Sequence, residues 1–225
     1  MACRVAYGLD EAGRGPVIGP MALAIVGLSR RAAHALTDRG LADSKVFGST
    51  PAGRRARAEL AEAIFRGAAF VRCVLVPAFV VDAYTARHRL DDLEREVACE
   101  LIDAARRERP GPVVCDGRRI FGPLRGRWTD VDARDRADAD EPAVAAASIV
   151  AKHARDEALD AVLEPHQEAF GPIRGGGYAN AATRRFLLRY LEARGTLPPH
   201  VRHTFLRGGF LGTAAQQTLP YGPQG

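Results

Sequence analysis

A chain of 225 residues, 47% hydrophobic and 26% charged, has the makeup of one large globular domain or two small ones. Its four cysteines (Cys3, Cys73, Cys99, Cys115) are scattered without C-x-x-C spacing, which excludes a disulfide scaffold and a structural zinc site. No run of about eighteen apolar residues is present to span a bilayer, and the opening residues turn polar too soon for a secretory signal, so a cytoplasmic protein is expected. The net charge of +5 permits a polyanionic partner without requiring one. Of the 32 cations only Lys45 and Lys152 are lysines, so a compact ammonium is either wanted at those two places or has survived there by chance.

In chain order, Arg4 to Leu9 reads as a core strand, Asp10 to Pro16 as a Gly/Pro turn and Val17 to Leu28 as a long β-prone run. Residues 30–50 form a polar connection. Thr50 and Pro51 then open a helix to about Arg66, since Thr caps well and Pro suits the first helical position. Ala68 to Val76 is a further strand. Leu90 to about Arg107 has helical periodicity, with Leu93, Val97 and Leu101 on one side. Val113 to Cys115 is a short buried strand ending at Asp116-Gly117, and 118–140 is irregular and rich in aspartate. An alanine-rich helix runs from Ala143 to about Leu163, a glycine loop from Gly171 to Gly177, and a basic amphipathic helix from Asn180 to Arg194. The pattern predicts an α/β fold with a mixed central sheet, antiparallel first and parallel later, flanked by helices. The folded domain is expected over 1–205, its C-terminal helical segment included, with a mobile tail over 206–225.

Asp10 and Glu11 are two adjacent carboxylates at the end of an apolar stretch. Burial and mutual repulsion both oppose their ionisation, and a hard divalent cation such as magnesium or manganese relieves both. Adjacent strand residues face opposite ways, so the pair can share one site only where the strand ends or bends. Asp116 repeats the arrangement at the C-terminus of a strand, where open α/β sheets present functional groups. Taken singly, each also reads as an ordinary acid in a turn.

Together, Gly8-Leu9-Asp10-Glu11-Ala12-Gly13-Arg14-Gly15-Pro16 resembles the opening motif of type 2 ribonucleases H, and most resembles that of ribonuclease HII. Further pieces follow in the family's order. They are Asp43-Ser44-Lys45, Val114-Cys115-Asp116-Gly117, Ala137-Asp138 ten residues before Ser148 of Ala145 to Lys152, Gly177-Tyr178-Ala179, and Val201-Arg202-His203-Thr204-Phe205. The resemblance spans about 5–205 and implies a ribonuclease H-like fold. It implies that Asp10, Glu11, Asp116 and Asp138 are the catalytic, metal-binding carboxylates of a two-metal site for Mg2+ or Mn2+. The offset to Ser148 selects Asp138 over Asp135, Asp140 and Glu141, and Arg136 stands where the family usually has lysine. Asp156 lies on one helical face with Ser148 and Lys152 and reads as an ion-pair partner of Lys152 or Arg155, not a ligand.

The resemblance further implies hydrolysis of the RNA strand of RNA–DNA hybrids and cleavage at single ribonucleotides in duplex DNA, leaving 3′-hydroxyl and 5′-phosphate ends. Selectivity then rests on the 2′-hydroxyl. Gly13, Arg14, Gly15, Lys45, Ser148, Lys152 and Tyr178 are the expected substrate contacts. The glycines allow close backbone approach to a ribose, the lysines meet phosphate, and Tyr178 offers an aromatic face to the next sugar or else packs on the core. His200 and His203 read as surface histidines. The arginines of 180–194 either track a phosphate backbone or form a solvated face. The partner is nucleic acid, no membrane is involved, and a monomer is expected. Two rivals remain at this point: a non-catalytic hybrid-binding module on the same fold, and the sister enzyme ribonuclease HIII, for whose extra N-terminal domain Asp10 comes too early.

Overall fold

The computed structural model describes residues 4–41, 47–48, 50–206 and 209–212. Five strands form one sheet: β1 (Val5–Ala12), β2 (Met21–Ser29), β3 (Phe70–Val76), β4 (Val113–Asp116) and β5 (Val131–Arg134), in the order β3-β2-β1-β4-β5. The pairs β1–β2 and β2–β3 are antiparallel, and β1–β4 and β4–β5 are parallel. The mixed α/β sheet expected from the sequence is therefore present. β1 sits at its centre, which buries a strand bearing two carboxylates.

The pleat sorts β1 and β2 between two cores. Val5, Tyr7, Leu9, Met21, Leu23 and Ile25 pack on one face. That face is covered by α3 (Ala78–Ala86), α4 (Leu90–Glu108) and the short α5 (Arg118–Phe121). The other face carries Ala12, Ala22, Ala24 and Val26. There lie α1 (Arg30–Thr37), α2 (Pro51–Gly67) and α6 (Pro142–Phe170). Small residues on both sides let α6 approach closely, as at Gly8, where a Cβ would lie 2.1 Å from the Ala143 backbone. A third core joins Val17, Ile18, Leu159 and Leu163 to Phe186 and Leu187 of α7 (Ala181–Arg194). Burying each large apolar side chain of these cores stabilises the fold by about 1.5–3 kcal/mol relative to leaving it exposed.

The expected start of α2 is present, and α7 is capped at both ends. Thr50 caps α2 by accepting from Gly53 N at 3.1 Å, with Pro51 opening the helix. Asn180 caps α7 through Ala182 N and Thr183 N, and Gly195 closes it at φ 70°.

The structure also differs from the sequence reading. β1 continues in register to Ala12, so Asp10 and Glu11 lie within a paired strand and not in a turn. β2 begins at Met21, because Ile18 is diverted to an isolated bridge with Val201. Within the connection 30–50, α1 forms on a Ser29 cap. α3 was not anticipated. β5 appears inside the stretch read as irregular, with Val131 and Ala133 buried and Asp132 and Arg134 half-buried. α6 passes through Pro165 to Phe170, held there by the burial of Leu163 and Phe170 against the third core. Of the residues read as tail, Leu206 and Leu211 are buried in that same core, while 213–225 lie outside the described residues.

Candidate active site

Because β1 and β4 are parallel neighbours with Leu9 opposite Cys115, the next step along both strands brings Asp10 beside Asp116. A third acid arrives from the turn at Ala137–Ala139. Asp116 Oδ1 accepts from Ala137 N at 2.8 Å and so ties that turn to the end of β4. Arg136 adopts φ 61° to enter the turn, an uncommon conformation for a residue with a side chain. The result is that Asp10, Asp116 and Asp138 each place a carboxylate oxygen within 4.8 Å of the others. Asp10 and Asp138 are buried, and Asp140 and Asp135 are exposed.

Ser148 of α6 reaches Asp10 from above the sheet and donates its hydroxyl to that carboxylate, while Glu11 N donates to Asp10 Oδ1 at 2.8 Å. Burial nevertheless lifts the Asp10 carboxyl well above its usual range, and the charges of Glu11 and Asp116 add to the effect. Burial likewise raises Glu11, with Asp116 pushing the same way and Arg14 opposing. Three converging hard carboxylate oxygens, with Asp10 destabilised as a bare anion, fit a divalent cation. The strand stays regular through Asp10 and Glu11, and Glu11 falls outside the three-carboxylate group while lining the same cleft.

That cleft, about 510 Å3, is walled by Asp10, Glu11, Gly13, Arg14, Asp116, Ser148, Lys152, Gly176 and Tyr178, among others. Gly13 has φ 81°, and a Cβ on it would lie 2.9 Å from Arg155 Nε and from the Pro20 carbonyl. Gly15 faces the ring of Tyr178, 3.1 Å from where its Cβ would stand, and Tyr178 is itself 50% exposed, so it does not pack into the core. Arg14 turns from the cleft floor to α4. Its Nε donates to both Glu94 oxygens at 3.0 Å and its Nη2 to Asp91 at 2.5 Å. Burial pushes the Glu94 carboxyl up to about 7 despite that pair.

Lys152 Nζ donates to Asp156 Oδ1 at 2.7 Å, and Asp156 also takes Arg57 Nη2 at 3.0 Å and Arg155 Nη1 at 3.2 Å. Burial works to raise the Asp156 carboxyl, but Lys152, Arg155 and Arg57 outweigh it and hold the group below its usual range. Asp156 is thus an ion-pair hub. Lys45, with Asp43 and Ser44, lies outside the described residues. His200 and His203 are half-buried, and His200 serves through its carbonyl, which accepts from Gly19 N.

Sequence reasoning assigned no role to the buried Arg57 and Arg202, nor to the buried Glu94. With thirty arginines in the chain, residue type carries no signal for a buried one. For Arg202 the motif in which it stands was the only pointer. On α7, Arg184, Arg185, Arg189 and Arg194 are exposed, opposite the buried Phe186 and Leu187.

Among known proteins, the chain is 36% identical over 204 residues to the ribonuclease HII of Caldivirga maquilingensis, covering 88% of this chain and 90% of that protein. The solved ribonuclease H2 of Pyrococcus horikoshii matches with a TM-score of 0.73 at 27% identity, over 95% of this chain and 98% of that one. The ribonuclease HII solved in complex with PCNA from Archaeoglobus fulgidus matches with a TM-score of 0.70 at 30% identity, over 88% and 91%. Among the described residues, no helix is long and apolar enough to cross a membrane. The family model for ribonuclease HII matches residues 7–207, nearly the whole described fold. The chain belongs to the ribonuclease HII family of endoribonucleases.

Proposed function

We propose that this protein hydrolyses the RNA strand of RNA–DNA hybrids and cuts on the 5′ side of single ribonucleotides embedded in duplex DNA, leaving 3′-hydroxyl and 5′-phosphate ends. The observation that carries the reading is the meeting of Asp10, Asp116 and Asp138 oxygens within 4.8 Å at the foot of an open cleft. These three acids would hold one divalent cation, Mg2+ or Mn2+, and Glu11, close enough to Asp116 to feel its charge, would complete a second position. When bound, such a pair activates a water for attack on phosphorus and stabilises the charge that develops on the phosphate and the departing oxygen.

The chain's own residues supply the rest. Ser148 orients the Asp10 carboxylate and favours its ionised form. Lys152, fixed by Asp156 at the cleft wall, presents positive charge to a phosphate. Gly13 and Gly15 let the backbone approach a ribose, where the 2′-hydroxyl separates RNA from DNA. Tyr178, half exposed over Gly15, offers its ring to the neighbouring sugar. A rim of exposed arginines on α7 suits the phosphate backbone of a duplex.

The test is a duplex carrying one ribonucleotide, incubated with Mg2+ or Mn2+ and mapped for the position and chemistry of its new ends. A cut immediately 5′ to the ribonucleotide, abolished by chelator and absent from all-DNA duplex, supports the reading. Tight binding without turnover would replace it with a non-catalytic hybrid-binding module.

A further inference from the structure

Arg202 is wholly buried, yet its guanidinium is given over to backbone carbonyls. Nε and Nη2 donate to Gly19 O at 3.0 and 2.9 Å, Nη1 to Arg14 O at 3.0 Å, and Nη2 also to Gly13 O at 2.8 Å. One side chain therefore grips both ends of the 13–19 loop. Its backbone reinforces the grip: Arg202 N donates to Val17 O, Gly19 N to His200 O, and Ile18 bridges Val201. The turn that carries Arg202 is anchored in its own right. Thr204 N and Oγ1 both donate to Asp82 Oδ1 of α3, and the Phe205 ring lies 5.3 Å from the guanidinium.

Burying a guanidinium away from water is costly, and burial pulls this one down to about 10. An apolar residue would fill the space at less cost, but it would leave three carbonyls unpaired. The geometry of the peptide group says what the cation achieves. No cis peptide occurs among the described residues. In a trans peptide the N–H points opposite to the C=O of the same unit. Drawing the Gly13 and Arg14 carbonyls inward to Arg202 therefore turns the N–H groups of Arg14 and Gly15 away from it. Gly13 and Arg14 line the carboxylate cleft, and Gly15 lies against Tyr178, which lines it too.

We propose that Arg202 is a positioning residue for ribose recognition, holding two successive peptide units so that the Arg14 and Gly15 N–H groups stand ready to donate to an oxygen of the bound sugar. The inference rests on the nuclease reading above for the identity of that oxygen, but not for the clamp itself. It gives the Val201-Arg202-His203-Thr204-Phe205 motif, far from β1 in sequence, a share in substrate choice through the 13–19 loop.

The test pairs an activity readout with one independent of activity. Arg202→Lys keeps the charge but satisfies fewer carbonyls. It is expected to raise amide hydrogen exchange across 13–19 by about tenfold, the worth of roughly one lost hydrogen bond. Turnover of a duplex with one ribonucleotide should fall roughly 10–100-fold through kcat. Mn2+ affinity measured by calorimetry and binding to an all-DNA duplex should stay as in the wild type. Unchanged exchange at 13–19, or a loosened loop with wild-type kcat, overturns the proposal, as does an equal loss of all-DNA binding. If Arg202→Lys does not fold, Thr204→Val loosens the same turn while leaving the guanidinium. It must shift exchange and kcat in the same direction, or the proposal fails. Should the wild-type protein leave the ribonucleotide duplex intact, the nuclease reading falls, and the exchange measurement still decides whether Arg202 holds the loop.

Discussion

Gly8 of β1 and Ala143 of α6 meet backbone to backbone: a Cβ on Gly8 would stand 2.1 Å from the Ala143 carbonyl carbon and from Val144 N. This contact sets the depth of α6 on the sheet, and with it the reach of Ser148 to Asp10, one and a half turns further along the helix. Gly8→Ala is expected to lift the helix start and destabilise the protein by about 1–3 kcal/mol or more, as overpacking of a tight core does. Thermal unfolding followed by circular dichroism measures the loss. A variant with wild-type stability would mean that α6 is free to shift.

Asp138 and Asp140 are two residues apart, but only Asp138 is buried with a carboxylate oxygen near those of Asp10 and Asp116. Asp138→Asn should cut turnover by orders of magnitude and weaken Mn2+ binding, while Asp140→Asn should leave both close to wild type. Parallel calorimetric titrations and cleavage assays decide it, and the reverse order would place the third ligand elsewhere in the aspartate-rich stretch.

Ser148→Ala removes a hydrogen bond that favours the ionised Asp10. Its loss should raise the Asp10 carboxyl further, so protons compete better with the metal. Cation affinity should fall by about 10–100-fold, the usual effect of losing a partner that orients a ligand. The deficit should widen as the pH is lowered. Titrations with Mn2+ at two pH values test both statements, and a pH-independent deficit would contradict the second.

Glu94 brings a pH dependence of stability with a definite sign. Its carboxyl is raised from 4.5 to about 7 by burial, so between those values the folded protein binds more protons than the unfolded chain. Metal-free protein should then lose stability as the pH rises through that window, with Asp10 and Glu11, also raised, contributing in the same direction. Glu94→Gln, which still accepts from Arg14, should flatten the slope. Urea unfolding across the window, in chelator, would refute this if wild type and variant ran parallel.

Much of the site was legible in the chain because its residues belong to short motifs. Asp10, Asp116 and Asp138 each stood in a motif whose order matched one family, and all three converge. The offset from Ser148 singled out Asp138 although Asp135, Asp140 and Glu141 crowd the region, and of these acids Asp138 is the one grouped with Asp10 and Asp116. The start of α2 at Thr50 and Pro51 was equally readable, since capping is a local matter of side-chain oxygen and backbone N–H. Four-residue β5 was not, because a V-D-A-R alternation that short becomes a strand only when β4 is there to pair with it.

What the sequence determined by itself, then, was the family, the sheet's mixed character and the three aspartates, all encoded in local pattern and order. Only the folded chain decided that Glu11 stands apart from those three, because the pleat of an uninterrupted strand sends neighbouring side chains to opposite faces. Only the folded chain, too, decided which groups the arginines reach. Arg14 pairs with Glu94, Arg57 and Arg155 with Asp156, and Arg202 with three carbonyls of the 13–19 loop. Those partners lie between 1 and 189 positions away along the chain, and a long charged side chain takes its meaning from the group it reaches, which residue type alone does not specify.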